Sequence, residues 1–190
     1  MMDKNEFWEL IQTSYKEADW ETDKEMELLI NKLSEYSQED ILRFGKIYDI
    51  YAKESYKKKL WAAAYVMNGG CSDDCFDYFR GWLISRGKEP YLNALINPDS
   101  LIDLDIPYED DNFENELMLS VAQIAFNKKI GTEEDINVYF ERMKQFELDS
   151  DEILRIVAEI SFDENIDAEW DEDDEESLKN LVPKLYDQYW

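Results

Sequence analysis

The chain has 190 residues and carries 46 Asp and Glu against 20 Lys and Arg, a net charge of −26, and it contains no histidine. The lack of histidine excludes Ser-His-Asp and Cys-His nucleophile systems, His-ligated zinc or non-haem iron sites, and an imidazole general base. The charge argues against direct binding to DNA, RNA or an anionic membrane surface, because like charges repel.

The composition is that of a folded, helical protein. Hydrophobic residues make up 44% of the chain and aromatic residues 14%, more than a disordered acidic chain carries. Six Gly and four Pro are few for a turn-rich β architecture. The N-terminus lacks an apolar signal region, and the uncharged stretch 60–72 is too short to span a bilayer. We therefore expect a cytoplasmic protein whose two cysteines are free thiols.

Apolar residues in the N-terminal half repeat at helical spacing, which predicts α-helices. Three helices are expected to begin at capping patterns, which are Asp3 with Glu6, Thr22 with Glu25, and Ser37 with Asp40. The third helix either continues or breaks near Ser55, before a segment that ends at Gly69-Gly70. Ser72 is expected to cap the following helix, Gly87 to end it, and Pro90 to lie in the first turn of the next.

The C-terminal half is predicted to be helical as well. Helices are expected over 114–129, 132–146, 153–160 and 177–189. No internal repeat and no strand alternation compete with this interpretation. The predicted fold is all-α, a compact multi-helix bundle from residue 3 to 146 with an acidic helical C-terminal extension from 147 to 190.

The negative charge is concentrated in the C-terminal half. Residues 1–88 carry 17 acidic and 13 basic residues, a net charge of −4, whereas residues 89–190 carry 29 and 7, a net charge of −22. No Lys or Arg occurs between residues 89 and 127. In residues 163–176, ten of fourteen side chains are acidic, which predicts a loop or linker.

The two cysteines and two arginines are interpreted as structural residues. Cys71 and Cys75 form a Cys-x3-Cys pair, an incomplete zinc set in a chain without further Cys or His. We interpret both as small packing residues. Arg80 and Arg86 are expected to pair with neighbouring carboxylates rather than bind a substrate. The sequence predicts no catalytic residue, no metal ligand and no cofactor.

The aromatic residues fall into two predicted groups. The main core is expected to form across the Gly69-Gly70 turn, from side chains at helical spacing on both sides of it: Trp61, Tyr65, Phe76, Phe79 and Trp82. Trp20 and Trp170 lie in polar surroundings and are better candidates for exposed anchors that bind a partner.

One block of the sequence resembles a known family. LWAAAYVMNGGCSDD (60–74) followed by FDYFRGWLISRGKEPYLNALINPDSL (76–101) is similar to the signature block of DUF4240, a bacterial domain family of unknown function. Phe7-Trp8 and the closing LVPKLYDQYW (181–190) resemble that family's opening and ending. The resemblance covers about the first 130 residues and implies a small, bacterial, cytosolic, mostly helical domain. It implies no known activity.

The acidity suggests a function in protein interaction. We predict a non-catalytic module that binds a basic protein partner, in the form of a toxin-neutralising (immunity-like) protein or a nucleic-acid mimic. The candidate partner-binding residues are Asp103, Asp105, Glu109, Asp110, Asp111, Trp170, Asp171, Glu172, Asp173 and Asp174.

Two alternatives to this function stay open. One is an enzyme that uses Asp or Glu with a divalent metal, which buried carboxylates in a cleft lined by Trp61, Tyr65 and Trp82 would favour. The other is that the acidity serves only solubility.

Overall fold

A computed structural model describes residues 1–106, 112–131 and 136–190. This part of the chain is helical and contains no strand, which confirms the predicted all-α class. Its α-helices are α1 (Lys4–Ala18), α2 (Thr22–Glu35), α3 (Gln38–Glu54), α4 (Lys58–Met67), α5 (Asp73–Ser85), α6 (Lys88–Ile96), α7 (Val121–Ile130), α8 (Ile136–Gln145), α9 (Ser150–Val157), α10 (Glu175–Leu181) and α11 (Pro183–Tyr189). Two 3₁₀ helices span Pro98–Asp103 and Glu116–Ser120. In the described ranges, no helix is both long and apolar enough to cross a bilayer.

Most of the predicted helix starts are confirmed. Asp3, Ser37 and Ser72 each accept a hydrogen bond from a backbone N–H in the first turn of α1, α3 and α5. The prediction for Thr22 is wrong, because Thr22 is itself the first helical residue and Glu21 precedes it without a side-chain cap. Asp19 and Trp20 adopt left-handed backbone and form a tight connection between α1 and α2. After this connection, α2 begins one residue before the predicted start.

The helix ends predicted at Gly69-Gly70 and at Gly87 are confirmed. At Ser55, where the sequence left both outcomes open, the helix ends, and the Ser55 hydroxyl donates to the carbonyl of Tyr51 at 2.9 Å. Gly69 and Gly70 follow α4 with φ of 66° and 127°, a region that glycine enters without steric cost. Gly87 joins α5 to α6 with φ of 101°, and a Cβ there would lie 2.6 Å from the Gln12 side chain.

The C-terminal helices differ from the prediction in three places. The helix expected over 114–129 begins as the 3₁₀ helix Glu116–Ser120, because Asn115 is held by the carbonyl of Tyr78 on α5 and caps Met118. The helix expected over 177–189 is divided at Pro183, which has no N–H to donate. The helix expected over 153–160 instead spans Ser150–Val157, after an Asp149 cap. Residues 132–135 of the other predicted helix lie outside the described ranges.

The centre of the core lies between α1, α3 and α6. Phe7, Trp8 and Tyr91 surround Tyr51, with ring centroids 5.5, 4.7 and 5.3 Å from it. The Tyr91 hydroxyl donates to the carbonyl of Tyr51 at 2.6 Å. This cluster is additional to the main core predicted across the Gly69-Gly70 turn, and it joins residues that lie far apart in the sequence.

The predicted core across the Gly69-Gly70 turn is correct in part. Phe76, Phe79 and Trp82 are buried, as expected. Trp61 and Tyr65 are only half-buried, which corrects the prediction. The reason is the orientation of α4, which turns the small apolar residues of 62–64 inward and leaves the face of Trp61 and Tyr65 at the surface.

The C-terminal segment contributes to the same core. Leu178, Val182 and Leu185 are fully buried. The Asp99 carboxylate accepts hydrogen bonds from the backbone N–H groups of Lys184 and Leu185, both at 3.0 Å, and so caps α11. Residues 175–189 therefore pack against the helices that precede them. The domain boundary at residue 146 stays a prediction.

Candidate functional site

The acidic tract docks on the start of α4 as a loop. Residues 163–174, here called the acidic loop, contain no helix. This confirms the loop predicted over 163–176 except at its end, because Glu175 and Glu176 already belong to α10. The backbone N–H of Lys59 donates to the carbonyl of Ile166 at 2.8 Å, and the Trp170 indole N–H donates to the carbonyl of Lys58 at 2.8 Å. Ile166 is buried at 7% exposure. These contacts fix the acidic loop against the protein at two points.

Three consecutive lysines pair with carboxylates of the acidic loop. Lys59 Nζ lies 2.7 Å from Asp163 Oδ2, Lys57 Nζ lies 3.5 Å from Asp167 Oδ2, and Lys58 pairs with Glu169. Ion pairs at the protein surface each contribute about 0–1 kcal/mol, although the pair of Lys59 and Asp163 is partly buried. The main effect of the three ion pairs is to fix the register of the acidic loop against the start of α4.

Aromatic side chains from α4 and the acidic loop meet beside these ion pairs. Trp61 and Tyr65 lie one helical turn apart, and Trp170 packs on both, with ring centroids 6.5 Å from Trp61 and 5.3 Å from Tyr65. Trp190, at the end of α11, lies 5.6 Å from Tyr65. Trp61 stacks on Phe76 at 4.9 Å, and its indole N–H donates to the carbonyl of Cys71. The indoles of Trp61 and Trp170 are therefore both held by backbone hydrogen bonds.

The rings of Trp61, Tyr65 and Trp170 line a cleft of about 390 Å³ with an acidic rim. The aromatic cleft is formed by Lys58, Trp61, Tyr65, Cys71, Glu169, Trp170, Asp171 and Glu172. Its three carboxylates are exposed. Partial desolvation, together with the negative charge of Glu172, raises the pKa of Tyr65, which therefore stays neutral at physiological pH. The cleft thus presents aromatic faces beside net negative charge.

The predicted partner-binding residues lie in three places. Trp170, Asp171 and Glu172 line the aromatic cleft, and Asp173 and Asp174 follow them as exposed residues. Asp103 and Asp105 are exposed, and Asp103 lines a separate hollow of about 230 Å³. The predicted residues Glu109, Asp110 and Asp111 lie outside the described ranges.

Trp170 and Trp20 are half-buried rather than exposed. For Trp170 the reason is the docking of the acidic loop on α4, and for Trp20 it is packing of the ring against Tyr15 at 5.2 Å. The sequence placed Trp61 and Tyr65 in a cleft only for the enzyme alternative, and it did not predict that Trp170 and the acidic loop would join them. The available signal was the lysine triplet 57–59 directly before them, a basic cluster that could meet the later acidic tract.

Cys71 and Cys75 are free, half-buried thiols, as predicted. Burial raises the pKa of both, that of Cys75 to about 11. Because the thiolate is the reactive form, neither is activated for nucleophilic chemistry at neutral pH. In the part of the chain that the structure describes, no group of three Cys, Asp or Glu residues is arranged to hold a metal ion.

Arg80 and Arg86 pair with carboxylates, which confirms the prediction for both. Arg80 pairs with Asp77 on the same helix. Arg86 lies 2.5 Å from Glu25 of α2, and these two side chains are only 3% and 2% exposed. The guanidinium of Arg86 also lies 4.4 Å from the ring centroid of Tyr15. This buried ion pair links α5 to α2.

Burial of the Glu25–Arg86 pair makes the stability of the protein depend on pH. The cost of burying the carboxylate outweighs the attraction of Arg86 and raises the pKa of Glu25 to about 7 from its ordinary value of 4.5. The folded state therefore binds this proton more tightly than the unfolded state. Its contribution to stability is fully present below about pH 4.5 and is lost as the pH rises to about 7.

We expect Glu25→Gln to remove this component of the pH dependence. Urea unfolding between pH 5 and 7.5 should show a free energy of unfolding that falls with pH less steeply in Glu25→Gln than in the parent. Glu27→Gln, an exposed change on the same helix, is the matched control and should follow the parent. Equal slopes for Glu25→Gln and the parent would show that Glu25 is ionised throughout this range.

Sequence comparison assigns the N-terminal two thirds of the chain to a family. The family model described as "Protein of unknown function (DUF4240)" matches residues 2–128. The chain belongs to the DUF4240 family. The match confirms the resemblance seen in the block 60–101, and it ends before the acidic loop and Trp190. The aromatic cleft thus combines α4, inside the DUF4240 region, with a loop outside it. Comparisons with curated proteins and with solved structures found no match.

Proposed function

We propose that this DUF4240 protein is a non-catalytic interaction module whose acidic loop and aromatic cleft bind a basic protein partner. The observation that carries the proposal is that the first part of the acidic loop pairs with Lys57, Lys58 and Lys59, whereas the acidic residues that follow it, 171–176, are exposed. The acidic sextet, defined as Asp171, Glu172, Asp173, Asp174, Glu175 and Glu176, is exposed. None of its carboxylates pairs with a Lys or Arg of the described ranges.

Fixed surface charge of one sign suits recognition of a basic partner. Complementary potentials raise association rates and make binding sensitive to salt, whereas partly buried aromatic side chains supply short-range affinity. A tract docked at two points also loses less conformational entropy on binding than a disordered tail. A toxin-neutralising protein is the more concrete form of such a module, because it requires only a basic surface on the partner. A nucleic-acid mimic would further require carboxylates in rows at phosphate-like spacing.

The features that would favour a carboxylate-and-metal enzyme do not come together in this cleft. Trp82 is buried elsewhere in the core, at 2% exposure. The carboxylates at the cleft rim, Glu169, Asp171 and Glu172, are exposed rather than buried. Acid–base chemistry usually relies on carboxylates that are buried in a cleft, so the interaction module is the better supported proposal.

Neutralising the acidic sextet tests the proposal. Changing its Asp to Asn and its Glu to Gln reduces the net charge from −26 to −20. A matched control with the same net charge neutralises six exposed acids of the N-terminal half: Glu9, Glu21, Asp23, Glu27, Glu35 and Glu39. The parent chain is used to capture partners from the source cells, and the affinity of each captured basic protein, once purified, is measured for all three chains at several salt concentrations.

The sextet variant is expected to bind the partner at least about tenfold more weakly, with a smaller salt dependence, than the matched control. Equal affinity and salt dependence in the two variants would contradict the proposal for this tract. The proposal also fails if every basic protein captured by the parent is captured equally well by the sextet variant, or if the parent captures none. Either result would favour the alternative that the acidity serves solubility.

A further inference from the structure

The aromatic cleft contains ring faces that no cation of the described chain covers. Elsewhere, Lys57 lies over Phe162 at 4.7 Å, Arg80 over Tyr56 at 4.9 Å, and Lys179 over Tyr186 at 5.4 Å. In the described ranges, no Lys or Arg lies in this way over Trp61, Tyr65, Trp170 or Trp190. Aromatic faces beside net negative charge attract a cation electrostatically.

From this geometry we infer that the aromatic cleft takes one arginine side chain of the protein partner. This inference rests on the proposed function and names the chemistry of its central contact. The guanidinium would lie against Tyr65 and Trp170, whose ring planes are inclined by 58° with centroids 5.3 Å apart. The open side of the cleft lets the rest of the partner segment run over the surface.

The carboxylates at the rim supply the second half of the site. Glu169 is already paired with Lys58. Asp171 and Glu172 line the cleft beside the rings, and neither pairs with a Lys or Arg of the described ranges. Asp171 Oδ1 accepts the backbone N–H of Asp173, and Glu172 is hydrogen-bonded to the Tyr65 hydroxyl, so both carboxylates are held beside the rings. A guanidinium on the rings would therefore meet two carboxylates without a cationic partner, and their remaining acceptor positions favour charge-assisted hydrogen bonds.

Arginine fits these features better than the other side chains. Its guanidinium is planar and weakly hydrated, stacks on aromatic faces and donates two parallel hydrogen bonds to a carboxylate. The ammonium of lysine is a strongly hydrated point charge, and an acidic side chain would be repelled. The indoles are held in place by Lys58 and Cys71 carbonyls at 2.8 and 2.9 Å, so little ordering is needed when the arginine enters.

The probe is an N-acetylated, C-amidated Gly-Gly-Arg-Gly-Gly peptide, observed by proton NMR during titration with the full chain. Stacking on aromatic rings is expected to shift the arginine δ-methylene signal upfield as protein is added. The matched peptides carry citrulline, which has the same shape without the charge, or lysine. Both are expected to bind at least about twofold more weakly.

Two protein variants separate the contributions of the cleft. Tyr65→Ala removes one ring while keeping the backbone contacts that dock the acidic loop, and Asp171→Asn with Glu172→Gln removes the rim charges. Each is expected to weaken arginine-peptide binding about two- to fivefold. Asp103→Asn with Asp105→Asn makes the same change of charge at exposed acids outside the cleft and should bind like the parent. Circular dichroism melting checks that each variant is folded.

The results distinguish this inference from the proposed function. Equal binding of the arginine and citrulline peptides, or parent-like binding by folded Tyr65→Ala, would overturn the assignment of arginine to the cleft. If the sextet variant still loses the basic partner in that case, the interaction module stands and only the arginine contact is wrong. If the sextet variant and Tyr65→Ala both still bind the basic partner like the parent, the proposed function and the arginine contact are both wrong.

Discussion

Arg86→Met is expected to destabilise the folded protein by about 3–5 kcal/mol at about pH 8, above the pKa of Glu25, because Glu25 must then stay buried as an unpaired carboxylate or take up a proton. Glu25 is 1% exposed, and its second carboxylate oxygen already has no hydrogen-bond partner. The substitution also removes the guanidinium that lies against Tyr15 at 4.4 Å. Urea unfolding followed by far-UV circular dichroism measures the loss.

A double variant separates the charge from the packing. Removing both charges with Glu25→Gln and Arg86→Met leaves no buried ion without a partner, so this variant should be more stable than Arg86→Met alone. Arg142→Met, at an exposed position of α8, is the matched control and should change stability by less than about 0.5 kcal/mol. A loss below about 1 kcal/mol for Arg86→Met would contradict the assigned role of the pair.

Trp82→Ala is expected to cost about 3–5 kcal/mol, the usual range for truncating a buried aromatic side chain. Trp82 is 2% exposed. Its ring centroid lies 5.4 Å from that of Phe79 and 5.3 Å from that of Phe113. Truncation therefore leaves a cavity and removes a contact between α5 and the segment that contains Phe113. Thermal and urea unfolding measure the loss.

Trp190→Ala is the control for Trp82→Ala. Trp190 is the last residue and is 47% exposed, so its truncation should cost less than about 1 kcal/mol. If Trp82→Ala unfolded like the parent but lost binding to a basic partner, the block 60–101 would be a binding surface and Trp82 would not be a core residue.

Local features of the fold could be predicted from the sequence because their causes are local. Asp3, Ser37 and Ser72 accept hydrogen bonds from N–H groups two or three residues ahead, and Gly69, Gly70 and Gly87 adopt positive φ where a helix must end. A helix that Pro183 divides into α10 and α11 was equally open to prediction, since proline lacks the donor that a continuous helix needs.

The aromatic cleft could not be predicted in the same way. Almost every residue from 60 to 67 is apolar, so hydrophobic periodicity does not reveal which face of α4 is outward. That choice depends on the acidic loop, which meets Lys57, Lys58 and Lys59 across more than 100 positions of sequence. The sequence shows that acidic residues are abundant. It does not show which of them lie beside Trp61 and Tyr65, because this depends on the long-range contact with the lysines.

The most direct test of the interaction surface observes the six tryptophan indole N–H signals of the ¹⁵N-labelled protein while the arginine peptide is added. Signals are assigned by single Trp→Phe substitutions. We expect the signals of Trp61 and Trp170 to move in a saturable way, while those of the buried Trp8 and Trp82 stay in place. Two results would contradict this expectation. One is saturable movement confined to other indole signals, and the other is no indole movement at peptide concentrations where the arginine δ-methylene shift of the peptide shows that it is bound.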